Sequence, residues 1–412
     1  MKIRVDAERL RRDFDALAAI GGTRVEGVER IALTPAHLEA RAWFLHRAAD
    51  AGLDTSVDAA GNHSAILRGA PGAQTLLLGS HLDTVPNGGR YDGALGVVAA
   101  LEVLRAVQEA RLELPVTLEA IDFTDEEGAL VGLLGSFAVA GTLDARMLAA
   151  PRGGREALVA GLARAGLDEA RLADARRDPG SLSGYLELHI EQGPVLEQGG
   201  FQIGVVAAIV GSRSFELAFD GTAAHAGTTP MHARRDAGLG AATYVERVYE
   251  TVTGEFGGCV ATVGRIELEP GAFNVVPGRA RVSLEFRAGS NDELERLERR
   301  LLDEAGAVAR EHSLGLDVRP VGRWQPTPLD ATVRVAIAGA AGRLGLSTLE
   351  LPSGAGHDAQ ALAQVTPSGM IFVPSTGGLS HQPGEHTPWD DCVNGANVLL
   401  HAALELALRQ GT

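Results

Sequence analysis

Lysine is all but missing from this chain. Lys2 is the only one, and the rest of the positive charge is arginine. That bias reads as genomic base composition rather than function. Cysteine is almost as rare. Cys259 and Cys392 stand alone, which leaves no disulfide framework and no CxxC metal knuckle. No apolar run approaches the ~20 residues that cross a bilayer, so no membrane partner is expected. The first residues, MKIRVDAERLRRDF, are charged and lack the apolar stretch of a signal peptide. The expected location is the cytoplasm. No basic stripe interrupts a formal net charge of −16, which argues against nucleic acid as a partner. Internal repeats and low-complexity tracts are absent too. What remains, 412 residues with 45% hydrophobic and 22% charged content, is enough for two globular domains.

Apolar spacing predicts helices over 6–17 and 35–51, the second opened by Thr34 as cap and Pro35 at its first position. Strands are expected near 64–68 and 75–80, an amphipathic helix over Leu95–Ala110, and a strand over Val116–Phe123. The Arg/Ala/Asp-rich stretch 153–178 reads as helical up to a turn at Asp178-Pro179-Gly180. A strand over Tyr185–Ile190 follows. This alternation predicts an α/β fold, a largely parallel sheet covered by helices. Near 211 the pattern changes to a strand over Ser214–Asp220 and a helix from about 234 to 251. Strands near 259–268 and 280–288, a helix over Asp292–Glu311 and a strand near 314–320 come next. Their β-α-β-β-α-β order predicts a ferredoxin-like α+β domain. From about 326 the first pattern resumes, ending in a helix over Trp389–Leu408. The expected organisation is one domain of residues 1–211 and 326–412, with residues 212–325 inserted as a second.

The polar residues that could carry chemistry cluster where strands end. GSHLDTVPNGGRYDGALG, from Gly79 to Gly96, follows the apolar run Thr75–Leu78 and holds His81, Asp83 and Asp92. His81 and Asp83 project to one face of an extended chain. The imidazole can ligate a metal while Asp83 accepts its other N–H. Asp92 has two oxygens and can bridge two cations. Asp125-Glu126-Glu127 follows the next strand. Adjacent glutamates point to opposite sides, so one can ligate while the other reaches water. Two neighbouring carboxylates repel unless a cation neutralises them. His189 lies on a polar stripe with Glu187 and Glu191, either an exposed face or a site. His381 sits among turn residues in Ser380-His381-Gln382-Pro383-Gly384-Glu385. Any one of these patterns also describes an ordinary solvated turn or strand; together they read as a hard-metal site. His37, His46, His312 and His401 fall on predicted helices and read as surface or core residues.

Six segments, GSHLDTVPNGGRYDGALGV, DFTDEEG, LELHIEQGPVLE, AAHAGTTPMHARRDA, SGAGHDAQ and GLSHQPGEHT, occur in order between Gly79 and Thr387. Together they resemble the hydantoinase/carbamoylase amidohydrolases. This group spans N-carbamoyl-L-amino acid, allantoate and ureidoglycolate amidohydrolases and a related β-ureidopropionase. It lies within the aminoacylase and dinuclear-zinc exopeptidase superfamily. The resemblance implies two divalent ions per subunit, zinc first, with manganese, cobalt or nickel as alternatives. His81 and His189 would hold one ion, Glu127 and His381 the other, with Asp92 between them. Glu126 would be the general base and Asp83 would orient His81. Gln192, Asn274, Arg287 and His357 would contact substrate, Asn274 and Arg287 gripping its carboxylate. His225 would polarise the scissile carbonyl from the partner subunit of a homodimer, which the inserted domain would join and over which it would act as a lid. The implied reaction is hydrolysis of a ureido or amide C–N bond in a small carboxylate substrate. A di- or tripeptidase or an N-acyl amino acid deacylase would use the same metals. A non-catalytic binding protein would have no use for Glu126. Two departures, Ala129-Leu130-Val131-Gly132 after the glutamates and His386 in place of a frequent aromatic, bear on the substrate rather than the chemistry.

Overall fold

A computed structural model describes residues 3–24 and 27–409. They divide into two compact units, one running up to Ala207 and resuming at Pro328, the other covering Ala208–Thr327. The strands up to the crossing are β1 (Asp54–Val57), β2 (His63–Leu67), β3 (Thr75–His81), β4 (Thr117–Phe123), β5 (Leu182–Ile190) and β6 (Ile203–Ile209). The second unit contributes β7 (Gly211–Asp220), β8 (Ala224–His225), β9 (Val260–Glu269), β10 (Val275–Val276), β11 (Arg279–Ala288) and β12 (Gly315–Trp324). β13 (Thr327–Pro328), β14 (Thr348–Ser353) and β15 (Ser368–Val373) complete the chain.

The first unit is built on a sheet of order β1-β2-β4-β3-β5-β15-β6-β13, with β14 also on β6. Its centre, β4-β3-β5-β15, is parallel, and the pairs β1–β2, β2–β4 and β15–β6 are antiparallel. The central strands are buried almost end to end, the pattern of strands covered on both faces. Among the covering helices are α1 (Ala7–Ala19), α2 (Pro35–Asp50) and α3 (Ala94–Glu109). Asp6 caps α1 and Thr34 caps α2.

Three sequence expectations change here. The helix expected to be amphipathic, α3, is buried at every residue from Ala94 to Val107. Its charged residues are paired: Glu102 lies 2.7 Å from Arg9 of α1, and Arg105 reaches Asp13 of the same helix. The stretch expected to be helical over 153–178 is divided into a helix at Arg155–Ala165 and a 3-10 helix at Glu169–Ala175. Gly166, in the left-handed conformation at φ 68°, ends the first, and Asp168 caps the second. The helix expected from 234 begins at Ala237, after its cap Asp236, and runs to Glu255.

In the second unit β12-β7-β11-β9 form an antiparallel four-stranded sheet. With helices Ala237–Glu255 and Asn291–Glu311 between its strands this is the ferredoxin-like order. Phe215, Leu217 and Phe219 alternate along β7 and pack with Leu297 and Leu301. No helix among the described residues is long and apolar enough to cross a membrane.

Candidate metal centre

Each donor stands where a parallel strand hands over to its loop. His81 ends β3, Glu126 and Glu127 follow β4, His189 is next to last in β5, and His381 lies in the loop after β15. Asp92 precedes Gly93, the residue that caps α3. Open α/β sheets bind ligands at such strand ends. Because these four strands are neighbours, the topology gathers donors from distant parts of the chain.

Two triads share one carboxylate. Ligand-type atoms of His81, Asp92 and His189 lie within 4.8 Å of one another, as do those of Asp92, Glu127 and His381. Asp92 Oδ1 is 3.1 Å from His189 Nε2 and 3.5 Å from His81 Nε2. Its Oδ2 is 3.4 Å from His381 Nε2, and Glu127 Oε2 is 3.5 Å from that same nitrogen. One oxygen toward each triad is how a carboxylate bridges two cations. The imidazoles are oriented for it. His81 Nδ1 lies 3.0 Å from the Asp83 carbonyl, and His189 Nδ1 lies 2.9 Å from that of Ile190. A carbonyl only accepts, so both Nδ1 atoms carry hydrogen and both Nε2 atoms face Asp92, each able to hold a cation or, without one, a proton.

Glu126 belongs to neither triad; its Oε2 is 3.5 Å from His81 Nε2. The Asp83 carboxylate stands 3.8 Å from His81 Nδ1, farther than its own carbonyl. That carboxylate instead accepts the backbone N–H groups of Glu126 at 3.3 Å and Glu127 at 3.2 Å. Sequence spacing could not separate these uses. Gln192 Nε2 donates to Asp92 Oδ2 at 2.7 Å. His357 is buried, 2.9 Å from Ser353 Oγ, with its ring edge-on to His189 at 4.5 Å. The remaining three named residues, His225, Asn274 and Arg287, lie in the second unit. There the Ala226 N–H donates to the Asn274 carbonyl at 2.9 Å, which sets His225 beside Asn274. Arg287 is at the far end of β11, paired with Ser212.

The backbone is under constraint at the same place. Asp125, Gln192 and His381 adopt φ of 57°, 59° and 58°, a region that side chains other than glycine seldom occupy. Asp125 is held there by its carboxylate, which accepts N–H bonds from Leu130, Val131 and Gly132. Its role went unread in the sequence, although it sits in the DFTDEEG segment. Glu187, on the polar stripe beside His189, is fully buried and accepts from Ser80 Oγ at 2.7 Å and Ala359 N–H at 3.0 Å.

Charge in the centre is unbalanced in a way that suits cations. Burial pushes Glu126 well above the ordinary carboxyl range; His81 opposes this, while Glu127, Asp358 and Asp83 add to it. Burial, then Asp92, pushes Glu127 up to about 8. Burial would lower His81, but Glu126, Asp92 and Asp83 outweigh it and hold it well above its usual value. The hydrogen bond to Asp92 raises His381 to about 9. Divalent cations would replace the protons that this crowd of acids and imidazoles holds. Imidazole and carboxylate donors without thiolate suit zinc, manganese, cobalt or nickel.

Residues 77–405 match the family model described as peptidase family M20/M25/M40. The chain belongs to this family. Its likeness extends over whole chains. It is 37% identical over 406 residues to the N-carbamoyl-L-amino acid amidohydrolase of Geobacillus stearothermophilus, covering 98% of this chain and 99% of the relative. The allantoate amidohydrolase of Escherichia coli is 33% identical, with 95% and 96% coverage. The crystal structure of a hydantoinase/carbamoylase family amidase from Burkholderia multivorans superposes with a TM-score of 0.92 at 35% identity, covering 99% of both chains. All three relatives are named as amidohydrolases or amidases.

Proposed function

We propose that this chain is a metal-dependent amidohydrolase. It would convert an N-carbamoyl-L-amino acid, or a ureido acid of the allantoate or ureidoglycolate type, to amino acid, carbon dioxide and ammonia. The observation that carries the reading is the pair of triads joined at Asp92, with Glu126 left over as an acid that neither triad uses. His81, Asp92, Glu127, His189 and His381 would hold divalent ions, which would supply Lewis acidity and lower the pKa of water toward neutrality. Glu126 takes the proton from the attacking water and delivers it to the leaving nitrogen. Gln192 and His357 orient the substrate beside the centre.

The active unit is a cytoplasmic homodimer, with His225 acting on the partner's substrate. Three features support the shared site. Gly227 N–H donates to His225 Nδ1 at 3.1 Å, so the hydrogen sits on Nε2 of an exposed imidazole, ready to donate to a carbonyl oxygen. The sheet edge β9 leaves Val260, Ile266 and Leu268 exposed, a surface suited to pairing with a second copy. Finally, Arg287 lies near the end of β11, whereas the His225–Asn274 pair belongs to the separate β8–β10 ribbon that comes before that strand begins at Arg279. Eight residues of strand separate Arg279 from Arg287, roughly 25 Å at about 3.3 Å per residue. One small substrate cannot span that distance. It can touch Arg287 of one chain and His225 with Asn274 of another.

A panel of N-carbamoyl-L-amino acids, allantoate, ureidoglycolate and dipeptides, run with zinc, manganese and cobalt, tests the reading. Ammonia together with amino acid is the expected product. Amino acid without ammonia would move the chain to the peptidase or deacylase reading.

A further inference from the structure

Glu385 is a buried carboxylate with no part in either triad, and it spans two of the loops that build them. It is 3% exposed. Its Oε1 accepts the backbone N–H of Tyr91 at 2.8 Å and of Asp92 at 3.1 Å. Its Oε2 lies 2.9 Å from Ser380 Oγ. The same hydroxyl is 3.0 Å from Asp92 Oδ2, the oxygen that faces His381. One serine hydrogen therefore sits between two carboxylates. Its hydrogen-bond partners are neutral donors, and through Ser380 it faces the carboxylate of Asp92. Burying an acid in such company is unfavourable in itself.

The chain is shaped around this side chain. A Cβ at Gly89 would stand 2.1 Å from Glu385 Oε1 and 2.2 Å from its Cδ. The glycine before Arg90-Tyr91-Asp92 is what allows Glu385 to reach the Asp92 backbone. At its other end Glu385 closes on Ser380, next to His381 with its left-handed backbone.

We propose that Glu385 is a positioning residue. It locks the Asp92 loop to the His381 turn and so sets the affinity of the Asp92–Glu127–His381 site. This rests on reading the two triads as a metal pair. The first triad shares Asp92, but through the Oδ1 that Ser380 does not touch, and His81 and His189 are held by their own strands and carbonyls, so the loss of the lock falls chiefly on the second triad.

The test uses the full chain, stripped with chelator and reloaded with Co2+ or Mn2+, and reads metal content and competition against a chelator rather than turnover. For Glu385→Ala we expect one tight equivalent and a second weakened by about 10- to 100-fold. Glu385→Gln keeps an oxygen for the two N–H groups and a polar partner for Ser380, and should hold both equivalents. If Glu385→Ala does not fold by circular dichroism, Ser380→Ala removes the bridging hydroxyl alone and should weaken the same single site. Both alanine variants binding two equivalents as tightly as wild type would overturn the proposal. So would equal weakening of both sites. Wild type that takes up fewer than two equivalents would overturn the metal-pair reading and this proposal with it, a result that the wild type alone reveals.

Discussion

Glu126 and Glu127 are neighbours in the chain but face different imidazoles, His81 and His381. What separates them is Asp83, whose carboxylate pins both of their backbone N–H groups. Glu126→Gln keeps size and hydrogen bonding and removes only the base. Metal content should persist while kcat falls by roughly 10²–10⁴. Loss of metal with retained rate would mean that the two glutamates have exchanged roles. Away from the centre, a buried histidine, His37, and a half-buried one, His63, give a pH dependence of stability. Burial, reinforced by Arg41, lowers His63 to about 3 and holds His37 well below its usual value. His37 Nδ1 accepts the Leu33 N–H at 2.9 Å and must stay unprotonated to do so. Above the unfolded value of about 6.5, both states are neutral and neither histidine matters. Below it the unfolded chain takes up protons that the fold refuses, so stability falls as pH drops. The slope is at most about 1.4 kcal/mol per pH unit for each group. Denaturant unfolding of wild type and of a His37→Gln/His63→Gln variant, from pH 7 to 5, isolates this effect, because metal-site protons are common to both proteins. The stability gap should narrow toward pH 5. A constant gap would refute the assignment.

Helix α3 is the element on which the centre leans, and two glycines let it approach. A Cβ at Gly93 would lie 2.4 Å from the His81 ring, and one at Gly96 would lie 2.4 Å from the Leu188 carbonyl and 2.8 Å from Ser80 Cβ. In an exposed helix, glycine to alanine gains about 0.5–1 kcal/mol. At Gly96 the opposing atoms are backbone and Cβ, which cannot swing away, and overpacking costs about 1–3 kcal/mol or more. The clash should win. Gly96→Ala is therefore expected to lower Tm and, by lifting α3 from β3 and β5, to loosen metal binding. An alanine variant as stable as wild type would show that the helix has room to shift. The boundaries of α3 were close to legible in its apolar run, but its surroundings were not. Glu102 and Arg105 look like a solvent face in sequence. Their partners, Arg9 and Asp13, lie on α1 some ninety positions away, and only tertiary packing reveals that the helix is buried all round.

At the scale of the molecule, the parallel centre β4-β3-β5-β15 explains why the candidate donors could be read from sequence at all. His81, His189 and the Glu126-Glu127 pair come at or just after apolar runs, because they load the ends of buried strands, while Asp92 and His381 lie farther along the loops. The supports could not be read that way. Asp83, Asp125 and Glu385 act through backbone N–H groups, and a side chain's appetite for a particular amide leaves no periodic trace. Nor could the sequence show that Arg287 and Asn274, both assigned to the substrate carboxylate, stand apart, Arg287 near the end of β11 and Asn274 beside the separate β8–β10 pair that precedes the strand. That separation leads to the last prediction. If His225 serves the partner's site, His225→Ala and Glu126→Gln are each nearly inactive alone, yet a mixed dimer contains one whole site. In that dimer the Glu126→Gln chain lends its intact His225 to the other chain, whose Glu126 is intact. The opposite site lacks both groups. With free exchange half of the dimers are mixed and half of their sites are whole, so about a quarter of wild-type activity should return. A histidine acting within its own chain gives no recovery, since every site then lacks one group. Exchange must be shown independently, for example by differently tagged chains co-purifying. Verified exchange without returning activity would place His225 in cis.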